Sequence, residues 1–156
     1  MRKRISPPLR EDRAPADHGW LDLEALAQVE VTSEDGEHPI EDAFLPQATT
    51  EWRAKGAGEQ TIRVLFDKPQ RLRRIRLVFR EINEARTQEF VLRWSPEESG
   101  PSRDIVRQQY NFSPAGATEE IEEYRVELED LAVLELTIIP NLNGGGFASL
   151  AQFQLA

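Results

Sequence analysis

The 156 residues include no cysteine, and 28 acidic against 19 basic side chains give a formal net charge of -9. A chain of this length fits one domain and, without disulfides or thiolate metal ligands, must be stabilised by packing alone. So acidic a surface repels a phosphate backbone, which argues against nucleic acid as a partner.

The charge is unevenly spread. Arg2, Lys3, Arg4, Arg10 and Arg13 against Glu11 and Asp12 leave +3 on the first thirteen residues and therefore -12 on the rest. With Pro7, Pro8 and Pro15, residues 1–18 read as a flexible basic arm ahead of a single domain over 19–156. The stretch Ile5-Ser6-Pro7-Pro8-Leu9-Arg10 lacks the apolar core of a secretory signal, and no run is long enough to span a membrane. A soluble cytoplasmic protein with no membrane contact is the expectation.

Trp20 to Ala27 places Trp20, Leu21, Leu23 and Leu26 to serve either a short helical turn or an extended edge. Gln28 to Thr32 reads as a strand through Val29 and Val31, closed by the turn-forming Ser33-Glu34-Asp35-Gly36. His38 to Thr50 holds Pro39 and Pro46 without periodicity and reads as a long loop, the kind of segment that carries binding groups on a β-scaffold.

Three strands follow, Thr61 to Phe66, Arg73 to Arg80 and Glu89 to Trp94, with the turn Asp67-Lys68-Pro69-Gln70 between the first two. In each, every second residue is large and apolar (Ile62, Val64, Phe66; Ile75, Leu77, Phe79; Phe90, Leu92, Trp94), the period of a sheet with one buried face. Beyond the polar turn Pro96 to Arg103, Asp104 to Phe112 reads as a strand. Tyr124, Val126 and Leu128, then Leu134, Leu136 and Ile138 on the far side of Glu129-Asp130, give two more, and Ser149 to Leu155 closes the chain as another. About eight strands without a helical repeat predict an all-β, antiparallel jelly-roll sandwich.

The order of these pieces over Ala27 to Leu155 resembles the discoidin-like, or coagulation factor 5/8 type C, family of galactose-binding-like jelly rolls. Thr50-Glu51-Trp52 is similar to its T-x-W segment, Gln60 to Pro69 to its glutamine, strand, aspartate, turn and proline unit, and Phe90-Val91-Leu92-Arg93-Trp94-Ser95 to the strand that ends in an aromatic residue and serine. The resemblance implies a non-catalytic module that binds a ligand, commonly a sugar, with loops at one end, and it makes Trp52 a core plug. Many members hold calcium through an aspartate and a glycine ahead of T-x-W and a glutamate in the last strand. Leu45-Pro46 and Ala151-Gln152 stand near those places here, so no calcium is expected.

Enzymatic chemistry finds little support. The only imidazoles are His18 and His38, and neither sits in a nucleophile and base motif. Two separated histidines give no metal spacing, and Gly144-Gly145-Gly146 lacks the Lys-Ser/Thr and helix of a phosphate cradle, so no cofactor is expected. Arg74, Arg76 and Arg80 share a strand face with Val78 opposite the apolar one and read as a charged outer face.

Arg86, Gln88, Arg107, Gln109 and Tyr110 crowd two strands that should pair. They form either a sugar-holding groove or a satisfied buried network, and the structural alternative is favoured. Phe44 and Phe147, in two loops expected to meet at one end, are the aromatic candidates for ligand contact. The leading expectation is a module for a glycan or similar polar ligand, and the second a protein-interaction module without sugar binding.

Overall fold

The computed structural model describes residues 19–46 and 50–156, so the expected basic arm lies outside the described residues. The elements run α1 (Leu23–Leu26), β1 (Ala27–Val31), a 3-10 turn (Ile40–Phe44), β2 (Trp52–Arg53), β3 (Gln60–Arg80), β4 (Arg86–Ser95), β5 (Arg103–Phe112), β6 (Glu119–Ile139), β7 (Ser149–Leu150) and β8 (Gln152–Leu155). The ambiguous Trp20 to Ala27 segment resolves to one helical turn. The loop expected over His38 to Thr50 contains the 3-10 turn, because Ile40 and Ala43 are buried there.

All pairing is antiparallel, in the order β1-β3-β6-β4-β5 with β8 added to β3. A straight strand as long as β3, with 21 residues, would stretch roughly 70 Å. Yet Phe79, near its far end, lies 5.3 Å by ring centroids from Phe90, whose partner Ile138 also faces Gln60 at the near end. The strand therefore doubles back, at the Asp67 to Gln70 turn read from the sequence.

β6 does the same at Glu129-Asp130, where Asp130 adopts φ 57. The two bends stack on each other: register is irregular between Leu65 and Arg74 of β3, yet pairing resumes on both sides. Each long strand thus belongs to both layers. The first layer comprises β1, 60–66 of β3, 131–139 of β6, β4 and β5, and the second comprises 119–128 of β6, 70–80 of β3 and β8.

Between the layers lies the core, where Trp52, Ile62, Leu77, Phe79, Phe90, Leu92, Leu134, Leu136, Ile138 and Phe153 are buried. Trp52 is a core plug, as expected, and its indole Nε1 donates to the Ser33 carbonyl at 3.1 Å. The expected closing strand Ser149 to Leu155 is two pieces. Ser149–Leu150 pairs with β2 and Gln152–Leu155 with β3, and the break lets one segment tie together two sheets.

Charges on the outer faces are placed by register. Across the first layer Glu30, Arg63, Glu135, Arg93 and Asp104 form one alternating row over all five strands, with contacts of 2.9, 3.4, 4.0 and 2.9 Å. On the second layer Arg76 faces Glu123 and Arg80 faces Glu119.

The inner face of the second layer carries an exception to apolar lining. Glu120 and Glu122 precede Tyr124 on that face, and the Tyr124 hydroxyl donates to Glu122 Oε1 at 2.9 Å. A hydrogen bond with Glu122, then burial and the Glu122 charge, push the Glu120 carboxyl from 4.5 up to about 7. The folded chain therefore keeps a proton there that the unfolded chain releases near 4.5, so this group's contribution to stability is lost as pH rises from about 4.5 to 7. Glu120→Gln should raise the melting temperature at pH 7.5 and flatten its dependence between pH 5 and 7.5. Thermal melts across that range test this, and an unchanged slope refutes it.

Candidate functional site

The ends of β1, β3's first half and β6 bring several loops to one end of the sandwich, opposite the end where Leu21 N donates to Leu155 O. These loops are tied to each other. Asp35 N donates to Arg53 O at 2.9 Å, and Arg53 N to His38 O at 3.1 Å, which zips the 35–38 turn to β2. Ala54 N donates to Ala148 O, and Gly58 N to Gly146 O, both at 2.9 Å. Ser33 Oγ donates to Gln60 Oε1 at 2.9 Å and accepts from Lys55 N at 3.0 Å. Gly58 and Gly146 have φ of 92 and 83, which a residue with a Cβ adopts only with strain, so the glycines make this crossing possible.

Between these loops lies a hollow of about 520 Å³ lined by Asp35, Gly36, Arg53, Ala54, Lys55 and Phe147. The Phe147 side chain is 48% exposed, and so presents a ring to solvent beside two cations and a carboxylate. Behind Arg53 sits Glu51, paired to it at 2.7 Å with a side chain only 16% exposed. Burial raises the Glu51 carboxyl above its ordinary range, and the charges of Arg53, His38 and Arg80 oppose the shift. His38 Nδ1 is buried with no hydrogen-bond partner among the described residues. Glu51 thus lies within electrostatic reach of Arg53, His38 and Arg80. The arrangement suits a polyhydroxylated ligand, with a ring face for stacking and planar polar groups for orientation.

Of the residues singled out from sequence, Phe147 alone lines this hollow. Phe44 instead packs against Phe153, with ring centroids 6.1 Å apart, and so covers β8 rather than meeting Phe147 as expected. Arg86, Gln88 and Tyr110 do come together, but in the interior. Arg86 Nε donates to Glu81 Oε1 at 2.8 Å, and its Nη1 to Gln88 Oε1 and to the Pro140 carbonyl, both at 2.7 Å. Gln88 Nε2 donates to the Tyr110 hydroxyl at 2.9 Å, and the guanidinium lies 4.9 Å over the Phe112 ring. The network is buried and satisfied, which is the structural alternative.

Arg107 and Gln109 are exposed on β5, and Arg107 is paired with Glu89 at 2.5 Å. They do not join Tyr110 because successive strand residues point to opposite faces. The five-residue groove is therefore not assembled. Asp35, Arg53 and Lys55, which line the hollow, were missed, as were Glu51 and His38 behind them. The one available signal was a histidine and a T-x-W glutamate flanking the same long loop, and their convergence depends on backbone contacts between loops.

Among the described residues, no group of three or more His, Asp or Glu side chains is placed to hold a metal ion. No helix there is long and apolar enough to cross a membrane.

Solved structures resemble this architecture closely. A family 32 carbohydrate-binding module of Clostridium perfringens NanJ, in complex with galactose, superposes with a TM-score of 0.60 at 15% identity, over 87% of this chain and 96% of that one. The family 32 module of AlyQ, in complex with 4,5-unsaturated mannuronic acid, gives 0.64 at 16% over 89% and 98%. A third such module, from a family 31 glycoside hydrolase of Clostridium perfringens, gives 0.64 at 15% over 92% and 98%. The chain shares the antiparallel jelly-roll sandwich fold of these modules. No family model matches the sequence, and no curated protein matches it either.

In this jelly-roll sandwich, Arg86 ties β4 to the segment after β6 and to Glu81 in the loop after β3. Burial acts to raise the Glu81 carboxyl, but hydrogen bonds from Asn83 N, Arg86 and Glu84 N outweigh it and hold the group below its ordinary range. Arg86→Met should cost about 3–5 kcal/mol, because it strands a carboxylate, an amide and a carbonyl. Urea denaturation measures the loss, and a cost below about 1 kcal/mol would show that the network is dispensable.

Proposed function

We propose that the protein is a non-catalytic carbohydrate-binding module whose ligand is held at the loop end by Phe147, Asp35, Arg53 and Lys55. The observation that carries this reading is the open hollow of about 520 Å³ in which an exposed aromatic ring stands beside charged side chains of both signs. Sugars offer an apolar ring face and a rim of hydroxyls, and such a hollow meets both needs. Glu51, ion-paired with Arg53, fixes the guanidinium's direction, so the polar wall is held ready before the ligand arrives. The fold adds support, since the superposed NanJ and AlyQ modules are in complex with galactose and with 4,5-unsaturated mannuronic acid.

Glycan-array screening followed by titration calorimetry tests the reading. The wild-type chain should bind at least one glycan class, and Phe147→Ala should weaken that binding at least tenfold without moving the melting temperature, since the ring is half exposed. Phe44→Ala should lower stability instead and leave the affinity of the folded protein unchanged, because Phe44 packs on Phe153. No binding to any glycan, or equal binding by Phe147→Ala, overturns the assignment.

A further inference from the structure

Cross-strand charges on this sandwich are complementary with one exception. Wherever two charged residues stand directly opposite in the described strands, acid faces base: Glu30 and Arg63, Arg63 and Glu135, Arg93 and Glu135, Arg93 and Asp104, Arg76 and Glu123, Arg80 and Glu119. The exception is Arg74, which faces Arg125 across β3 and β6. Like charges directly opposite on a sheet are destabilising. Neither arginine has a carboxylate partner among the described residues, although the chain carries an excess of acids.

The mismatch lies in a groove. One hollow, of about 370 Å³, is lined by Trp20, Arg74, Ile75, Glu123, Tyr124 and Arg125. A second, of about 460 Å³, shares Trp20, Arg74 and Glu123 with it and continues to Pro46, Arg76, Gln152 and Gln154. The Arg74 guanidinium lies 4.5 Å from the centroid of the Trp20 ring and stands where the two hollows meet. The rest of the wall is committed to internal contacts. Arg76 Nε donates to Gln152 Oε1 at 3.3 Å and its Nη1 to Glu123, while Gln152 Nε2 donates to the Pro46 carbonyl at 2.8 Å. Arg76 offsets the charge of Glu123, the one carboxylate in the groove.

We propose that this outer face of the second layer binds an anionic sugar, with the carboxylate of a hexuronate residue bridging Arg74 and Arg125 and the groove beside Trp20 taking the ring. Two guanidiniums offer a planar carboxylate paired hydrogen bonds, and the bound anion relieves the repulsion that the free protein carries. The groove lies on a sheet face, away from the loop end that holds Phe147. The sugar class rests on the carbohydrate-binding reading above, whereas the demand for an anion rests on the arginine pair.

Titration with tetragalacturonate, and with its fully methyl-esterified form as the neutral control, tests the proposal. The acid should bind, more weakly as salt is raised, and the double variant Arg74→Gln with Arg125→Gln should lose at least tenfold in affinity while Arg107→Gln, which removes an exposed arginine of β5 outside both sites, keeps it within threefold. Arg125→Glu should abolish this binding yet raise the melting temperature of the free protein, because a complementary pair replaces a repulsive one. Retained affinity in the double variant overturns the proposal, as does equal binding of the ester. If neutral glycans bind and tetragalacturonate does not, the second site falls and the loop-end reading stands; if no sugar binds, both fall. Removing residues 1–18 should change the affinity less than twofold. A tenfold gain would mean that the chain's own acidic residues, among Glu11, Asp12 and Asp17, are the occupant, and would overturn the assignment to a sugar.

Discussion

The stacked bends of β3 and β6 are the constraint on which the other features depend. Two strands of 21 residues each double back at the same level while staying paired on either side of the bend. Backbone groups at a bend must still find partners or water, and bending two paired strands together keeps most of the ladder intact. Leu72, Leu128 and Leu131 are buried at the fold, so the bend closes the core at that end. The opposite end then has to be closed by loops, and that is where the 35–38 turn, the Ala54 to Gly58 stretch and the segment after β6 converge. An open, polar hollow is what remains when loops rather than strands form a lid.

That division explains why the buried polar network sits where it does. Arg86, Gln88 and Tyr110 lie close beneath the loop end, where the two layers separate and apolar side chains run out. Burial, and then the charges of Glu120 and Glu122, raise the Tyr110 phenol well above its ordinary range, so the ring keeps its proton and goes on accepting from Gln88. A satisfied network costs little once formed, and it fixes the position of the Pro140 carbonyl and hence of the loop that carries Phe147. The arginine thus acts on the hollow through the backbone it holds, and touches nothing in it.

How much could be read from the sequence follows from which interactions are local. Alternation in Ile62-Arg63-Val64, in Ile75-Arg76-Leu77 and in Phe90-Val91-Leu92 reports a period of two directly, so strands, buried faces and the β-class were legible. Asp67 to Gln70 and Glu129-Asp130 were legible as turns, because Pro, Asp and a local loss of alternation mark them. That these turns stack was not, since it depends on pairing between segments some sixty residues apart. Parity was the instructive failure. Gln109 and Tyr110 are neighbours in sequence and sit on opposite faces, and strict alternation from Tyr110 and Phe112 would have separated them. His38, Glu51 and Arg53 converge only because Asp35 and His38 bond to Arg53 through backbone atoms, which no side-chain pattern encodes.

Register offers one kind of inference that composition cannot. Counting charges says only that the body is acidic, and on that basis alone an anionic ligand would be excluded. Once strand partners are known, each arginine can be set against the residue opposite it, and most of the acidic excess proves to be elsewhere or already paired. Arg74 and Arg125 then stand out as positive charges that face each other on a negative protein. Their repulsion is a standing cost in the free state, and natural sequences shed such costs readily by a single substitution to Glu or Gln. A like-charged pair beside a groove and an indole is therefore better explained by what it binds than by how it folds. The same logic separates the two faces: at the loop end the charges are of both signs and the exposed ring is Phe147, whereas the groove on the second layer is lined by Arg74, Arg76 and Arg125, and its one carboxylate, Glu123, is paired with Arg76.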